Sequence, residues 1–116
     1  MVGYPEGLKL GRNVDIGAFT YINARFGVHI GHNVQIGAHC SIYSHNTINN
    51  TEGKVIIRRG AKIGANSVIL PGVIIKPNQL IPAGSVVYLR EGIVYAKTPT
   101  LFSYIETLLE GDKKIE

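Results

Sequence analysis

"VHIGHNVQIGAHCSIYSHNTI", residues 28 to 48, decides the fold. Ile30, Ile36, Ile42 and Ile48 stand six residues apart, and a small or β-branched side chain (Val28, Val34, Cys40) stands two before each of the first three. The same step continues outward. Leu10, Ile16 and Ile22 precede the window, and Ile57, Ile63, Ile69, Ile75, Ile81, Val87 and Ile93 follow it. No α-helix has a period of six. A short strand with alternate residues turned inward, closed by a turn, has that period naturally. Gly11, Gly17, Gly31, Gly37 and Gly64 follow anchors, and Gly and Asn tolerate the positive φ of sharp corners. Successive hexads then stack as a solenoid with coils about 4.8 Å apart. The strand spacing of a β-sandwich would drift, and this spacing does not.

Two irregularities interrupt the rhythm. "NARFGVH" (Asn23 to His29) adds two residues after Ile22. After Ile48 the next anchor, Ile57, comes nine residues later, an addition of three. His45 stands just before this second break, and a polar run from Asn46 to Glu52 fills it.

Composition narrows the class. A chain of 116 residues reads as one domain, and 45% hydrophobic content argues against disorder. One cysteine, Cys40, excludes an internal disulfide framework and fits a reducing compartment. No apolar run approaches the roughly 20 residues that span a bilayer, and "MVGYPEGLKL" lacks a signal-peptide core. The expectation is a soluble, cytoplasmic protein without membrane insertion. The net charge of +4 is mild and suits an anionic small molecule as well as nucleic acid. "RRGAK" (Arg58 to Lys62) is basic but lacks interleaved aromatics, so no nucleic-acid partner is expected. Cys40 holds an inward slot and reads as a packed thiol.

The ending has a different period. Leu101, Ile105, Leu108 and Leu109 are helically spaced, with Thr98-Pro99 as a start and Gly111 as a stop. Residues 98–116 are therefore expected to form a short C-terminal α-helix and tail, lidding the last coil or clamping a neighbouring subunit.

The hexad pattern from about residue 8 to 95 resembles the hexapeptide-repeat acyltransferases. That resemblance implies an all-β solenoid over residues 1–97, a left-handed parallel β-helix of triangular section with three hexads per coil. The anchors then give four full coils and most of a fifth. "IYSHNTINNTEGKVII" (Ile42 to Ile57) is similar to the sugar acetyltransferase branch, in which a His precedes a polar loop. The resemblance implies a homotrimer with sites between subunits, acetyl-coenzyme A as co-substrate, and a sugar or nucleotide-sugar acceptor. His45 would be the general base, since histidine takes a proton from an attacking hydroxyl or amine near neutral pH. "IGANSVILPGVII" (Ile63 to Ile75) and "IPAGSVV" (Ile81 to Val87) look like the segments that line the pantetheine arm, which nominates Ala65, Ala83 and Gly84. Lys76, with Arg90 and Lys97, is a candidate for the nucleotide phosphates or an ordinary solvated charge.

Asn23 and Asn46 are expected near the edge of His45, either hydrogen-bonding the acceptor or stabilising corners through local backbone. Glu52 is a candidate to orient His45. Two other classes stay open. A non-catalytic β-helix scaffold would dock partners on its sides. A γ-class carbonic anhydrase would hold zinc with three His, but the histidine spacings of three, seven and six supply no such set, and no metal is expected.

Overall fold

The computed structural model describes residues 1–98 and 113–115. Strand β1 (Val2–Gly3) and a 3-10 turn (Pro5–Gly7) lead into the first coil: β2 (Leu8–Leu10), β3 (Asp15–Ile16) and β4 (Tyr21–Asn23). The second coil is β5 (Val28–Ile30), β6 (Gln35–Ile36) and β7 (Ser41–Tyr43), and a small hairpin of β8 (His45–Asn46) and β9 (Thr51–Glu52) follows it. The third is β10 (Val55–Ile57), β11 (Lys62–Ile63) and β12 (Val68–Ile69). The fourth is β13 (Ile74–Ile75), β14 (Leu80–Ile81) and β15 (Val86–Arg90). β16 (Ile93–Lys97) returns against β15, and β17 (Lys113–Lys114) pairs with β16.

Like strands of successive coils pair in parallel and build three faces. Face I is β2, β5, β10 and β13; face II is β3, β6, β11 and β14; face III is β1, β4, β7, β12 and β15. The result is a left-handed parallel β-helix. Three columns of anchors fill it: Leu10, Ile30, Ile57 and Ile75; Ile16, Ile36, Ile63 and Ile81; Ile22, Ile42, Ile69 and Val87. All are buried except Leu10 and Ile16, which lie on the first coil with one neighbour fewer. The residues two before these anchors, Val28, Val34, Cys40, Val55, Ala61, Ser67, Val73 and Ser85, are buried beside them.

Two anchors read from the rhythm do not join the columns. Ile48 is 95% exposed at the tip of the β8–β9 hairpin. The break therefore runs from Ile42 to Ile57, fifteen residues where the regular step is six, so the edge gains nine residues rather than three. Ile93 lies on β16, which runs antiparallel to β15, so parallel winding ends with the fourth coil. The extra layer lies at the opposite end, where β1 pairs beneath β4.

The roles of the corner glycines also differ from expectation. Positive φ falls three residues after the anchor rather than directly after it, at Asn13, Asn33, Gly60 and Asn78 on the I–II edge and at Phe19, His39, Asn66 and Gly84 on the II–III edge. The glycine directly after an anchor is required for close approach instead. A Cβ on Gly37 would fall 2.6 Å from the Ala65 nitrogen in the next coil. That approach lets the Gly37 N–H reach the Ile63 carbonyl at 2.8 Å.

The C-terminal helix expected over 98–116 falls mainly on residues 99–112 and 116, outside the described residues. Lys113–Lys114 form a strand on β16, and Ile115 packs against the core.

Ile42→Ala should cost about 2–5 kcal/mol of folding stability. Ile48→Ala should change it by less than about 0.5 kcal/mol despite the matching period. Urea unfolding of both variants checks the assignment of the break.

Candidate active site at the looped edge

The hairpin leaves the solenoid at the III–I edge, and Ser44 fixes its departure. Two residues past Ile42, Ser44 keeps the inward side of the alternation and is fully buried. Its Oγ donates to the Asn23 carbonyl at 2.8 Å and accepts from the Phe26 N–H at 3.0 Å. Its backbone N–H donates to the same Asn23 carbonyl at 2.9 Å, and its carbonyl accepts from Gly53 N–H, also at 2.9 Å. One residue thus ties together the "NARFG" corner, the start of the hairpin and its end. Sequence reasoning passed over it; the available signal was a small hydroxyl at an inward position in an otherwise aliphatic series.

His45 follows directly. Its ring meets Phe26 edge-on, with centroids 5.3 Å apart and planes at 79°. The Arg25 guanidinium lies 5.3 Å from the Phe26 centroid and 5.7 Å from that of Tyr4. Tyr4, Arg25, Phe26 and His45 therefore form one chain of aromatic and cationic contacts across the lower two coils. Across the hairpin, His45 pairs with Glu52 and Asn46 with Thr51. Directly opposed residues of such a pair project to the same side, so Glu52 stands across the hairpin from His45, without an ion pair or hydrogen bond to it.

A cleft of about 390 Å³ lies between the hairpin and the coils above it, walled by Asn46, Glu52, Leu70, Pro71, Tyr88 and Leu89. The imidazole is not among its walls; it faces Phe26 on the coil below. Asn23 is nearly buried, and its Oδ1 accepts from the Arg25 N–H at 3.1 Å. The Asn46 Oδ1 accepts from the Ile48 N–H at 3.2 Å. Both side-chain carbonyls serve local turns, the structural alternative weighed for them.

The donor-side candidates lie elsewhere. Ala65, Ala83 and Gly84 are together on the II–III edge, where the Gly84 N–H bonds the Ala65 carbonyl at 2.8 Å. Lys76 is on the I–II edge, its N–H held by the Gln79 Oε1 at 3.0 Å. Within one chain the candidate base, the candidate pantetheine segments and the candidate phosphate lysine occupy three different edges.

The remaining histidines are dispersed. His29 faces outward on face I, where burial first, then Lys54 and Lys9, hold its pKa below the ordinary 6.5. His32 caps the I–II edge, its Nδ1 accepting from the Arg12 N–H at 2.7 Å. His39 stacks on Phe19 at 5.1 Å on the II–III edge. Among the described residues, no three His, Cys, Asp or Glu side chains gather to hold a metal ion. Cys40 is buried with its Sγ 3.3 Å from the Gly64 carbonyl, as a packed thiol.

Ser44→Ala removes both hydrogen bonds of a buried hydroxyl, to the Asn23 carbonyl and from the Phe26 N–H, and should cost about 1–3 kcal/mol. Chemical denaturation measures that loss, and the His45 ring signals in NMR should shift with it.

Comparison with known proteins follows the winding. A family model described as the hexapeptide repeat of succinyl-transferase matches residues 7–44 and 54–88, stopping on either side of the hairpin. No curated protein matches the sequence significantly. Among solved structures, the fold is similar to AntD, an N-acyltransferase from Bacillus cereus. A variant in complex with dTDP and coenzyme A aligns at 20% identity and TM-score 0.66, over 99% of this chain and 75% of that one. A second variant, with dTDP-4-amino-4,6-dideoxyglucose and coenzyme A, aligns at 19% identity and TM-score 0.64 over the same shares. At these identities the likeness concerns the fold.

Proposed function

Since this chain belongs to the hexapeptide-repeat transferase family, we propose that it is an acyl-coenzyme A-dependent acyltransferase, acetylating an amine or hydroxyl of a sugar or nucleotide sugar. The observation that carries this reading is the built environment of His45: a hairpin opened from the winding, anchored by buried Ser44 and braced by Phe26. Pinning of this kind holds a reactive side chain in one geometry. The fold neighbour AntD, whose structures carry coenzyme A with dTDP or a dTDP-amino sugar, supports the substrate class.

In this mechanism the His45 imidazole takes the proton of the acceptor N–H or O–H as that atom attacks the thioester carbonyl. The tetrahedral intermediate collapses with cleavage of the C–S bond. The imidazolium returns its proton to the departing thiolate, so coenzyme A leaves as the thiol. Glu52, opposite His45 across the hairpin, supplies negative charge for the imidazolium, while Phe26 braces the ring. Asn23 holds the corner beneath the base, while Asn46, on the cleft wall away from the imidazole, serves the hairpin turn.

Ala65, Ala83 and Gly84 line the pantetheine arm, where small side chains admit a slender chain to the backbone. Their edge and that of His45 flank face III from opposite sides, so one copy does not close the site alone. A homotrimer resolves this by setting the looped edge of one copy against the II–III edge of the next. The lone buried thiol fits a reducing, cytoplasmic setting.

The dispersal of the candidates over three edges favours a second reading, a non-catalytic β-helix subunit that docks partners on its faces. Acetyl-coenzyme A turnover with a panel of amino sugars and nucleotide sugars decides between them. The enzyme reading expects His45→Ala to lower kcat about 10²–10⁴-fold, with melting and coenzyme A binding unchanged. Absence of coenzyme A binding in calorimetry would leave the scaffold.

A further inference from the structure

Charge is distributed unevenly over the solenoid. Residues 1–98 hold ten of the twelve Lys and Arg but four of the eight acids, Glu6, Asp15, Glu52 and Glu91. Glu52 is on the hairpin, Asp15 is on face II, and Glu91 follows β15. Much of the basic excess gathers on face I. Lys9 and His29 are register neighbours on its outer surface, followed by Ile56 in the next coil. Lys54 enters at one end of β10, its side chain lying over Gly27, and Arg58 and Arg59 leave at the other. Lys76 continues that ridge one coil higher, where the Arg58 N–H bonds the Ile75 carbonyl at 3.0 Å. Between them is a cleft of about 510 Å³ with Leu10, Ile30 and Ile56 in its walls and, among the described residues, no carboxylate. The positive field is felt within it: Lys54 and Lys9, after burial, are what hold the His29 pKa down.

A cleft of this size takes a small ligand. Lys9 on β2 and Arg58 and Arg59 after β10 stand two strand spacings apart, about 9.6 Å, with His29 between them, and their long side chains line the one cleft from both ends. The two arginines offer planar forks that pair with phosphate oxygens two at a time. The apolar walls suit the uncharged part of a nucleotide.

We propose that face I is a diphosphate-binding surface, on which Lys9, Arg58 and Arg59 hold the diphosphate of a nucleotide. The binding stands on this face alone. The role of the nucleotide, as part of the acceptor or as the nucleotide end of coenzyme A, rests on the acyltransferase reading.

Calorimetry of the full chain at low salt tests it, with dTDP, inorganic pyrophosphate, coenzyme A and pantetheine as separate probes. Wild type should bind pyrophosphate and dTDP without coenzyme A present, and His45→Ala should bind them equally. Arg58→Gln combined with Arg59→Gln should weaken that binding about tenfold or more, since each lost charge-assisted contact is strong. Lys62→Gln removes an exposed cation from face II and should leave binding unchanged. Thermal melting verifies that these surface variants fold.

The histidine gives an independent signal. In the folded chain His29 favours its neutral form, so its stabilising contribution is present above pH 6.5 and is lost as pH falls through its lowered value. Bound pyrophosphate should raise that value in an NMR titration, and Lys54→Ala should raise it without ligand. Pantetheine should do neither.

Equal dTDP affinity in wild type and the double arginine variant overturns the proposal when coenzyme A affinity is also unchanged, and so does equal weakening by Lys62→Gln. Loss confined to coenzyme A assigns the face to the donor; loss for dTDP assigns it to the acceptor. The test does not depend on turnover. An inactive chain that binds dTDP on face I refutes the acyltransferase reading alone, and an active chain indifferent to the arginines refutes this one alone.

Discussion

Each coil of this molecule exists because the next coil completes it. An isolated triangular turn of three short strands leaves its backbone groups unpaired and its aliphatic side chains against water. Parallel stacking corrects both deficits in one step. The Ile36 carbonyl receives the Gly17 N–H at 2.7 Å while the Ile16, Ile36, Ile63 and Ile81 side chains close into a column. The requirement is stringent at five corners, where backbone of one coil presses on backbone of the next and Gly11, Gly17, Gly31, Gly37 and Gly64, each directly after an anchor, leave no room for a Cβ. Slippage by one residue would turn every aliphatic outward, because side chains alternate across each strand.

That constraint explains where function has room. Faces and two of the edges are occupied by coil-to-coil contact, and their turns repeat with little variation. The III–I edge is the exception. It accepts two extra residues after Ile22 and nine after Ile42, because residues that leave the winding there rejoin it in register. The cost is a set of backbone groups without coil partners, and Ser44 meets it with four hydrogen bonds. His45 is therefore held by the repair of the fold itself. The outer surface of face I is free in a different sense. Its inward residues are fixed by the core, and its outward positions Lys9, His29 and Ile56 are released to carry charge or apolar contact.

Much of this was legible in the residues. The hexad period identified the solenoid, the inward companions and the buried thiol of Cys40. It also pointed to the irregularity beside His45. It misjudged the extent of that irregularity because Ile48 matches the period by chance, and period alone does not tell an inward isoleucine from one on a hairpin tip. Ile93 misled in the same way at the far end. The corner glycines were recognised as necessary but for the wrong reason, since crowding between coils is invisible along a single chain.

The sequence by itself determined the winding: a six-residue rhythm of aliphatics has few other ways to bury itself. Only the tertiary structure decided which edge each candidate occupies. His45 is separated from Ala65 and Lys76 by an interval that says nothing of edge, because the hairpin between them shifts everything after it. The same holds for the gathering of Lys9, His29, Arg58 and Arg59, which are distant in sequence and become neighbours because coils stack about 4.8 Å apart. Local periodicity fixes how a strand turns inward, whereas the meeting of side chains from different coils is set by register across the stack.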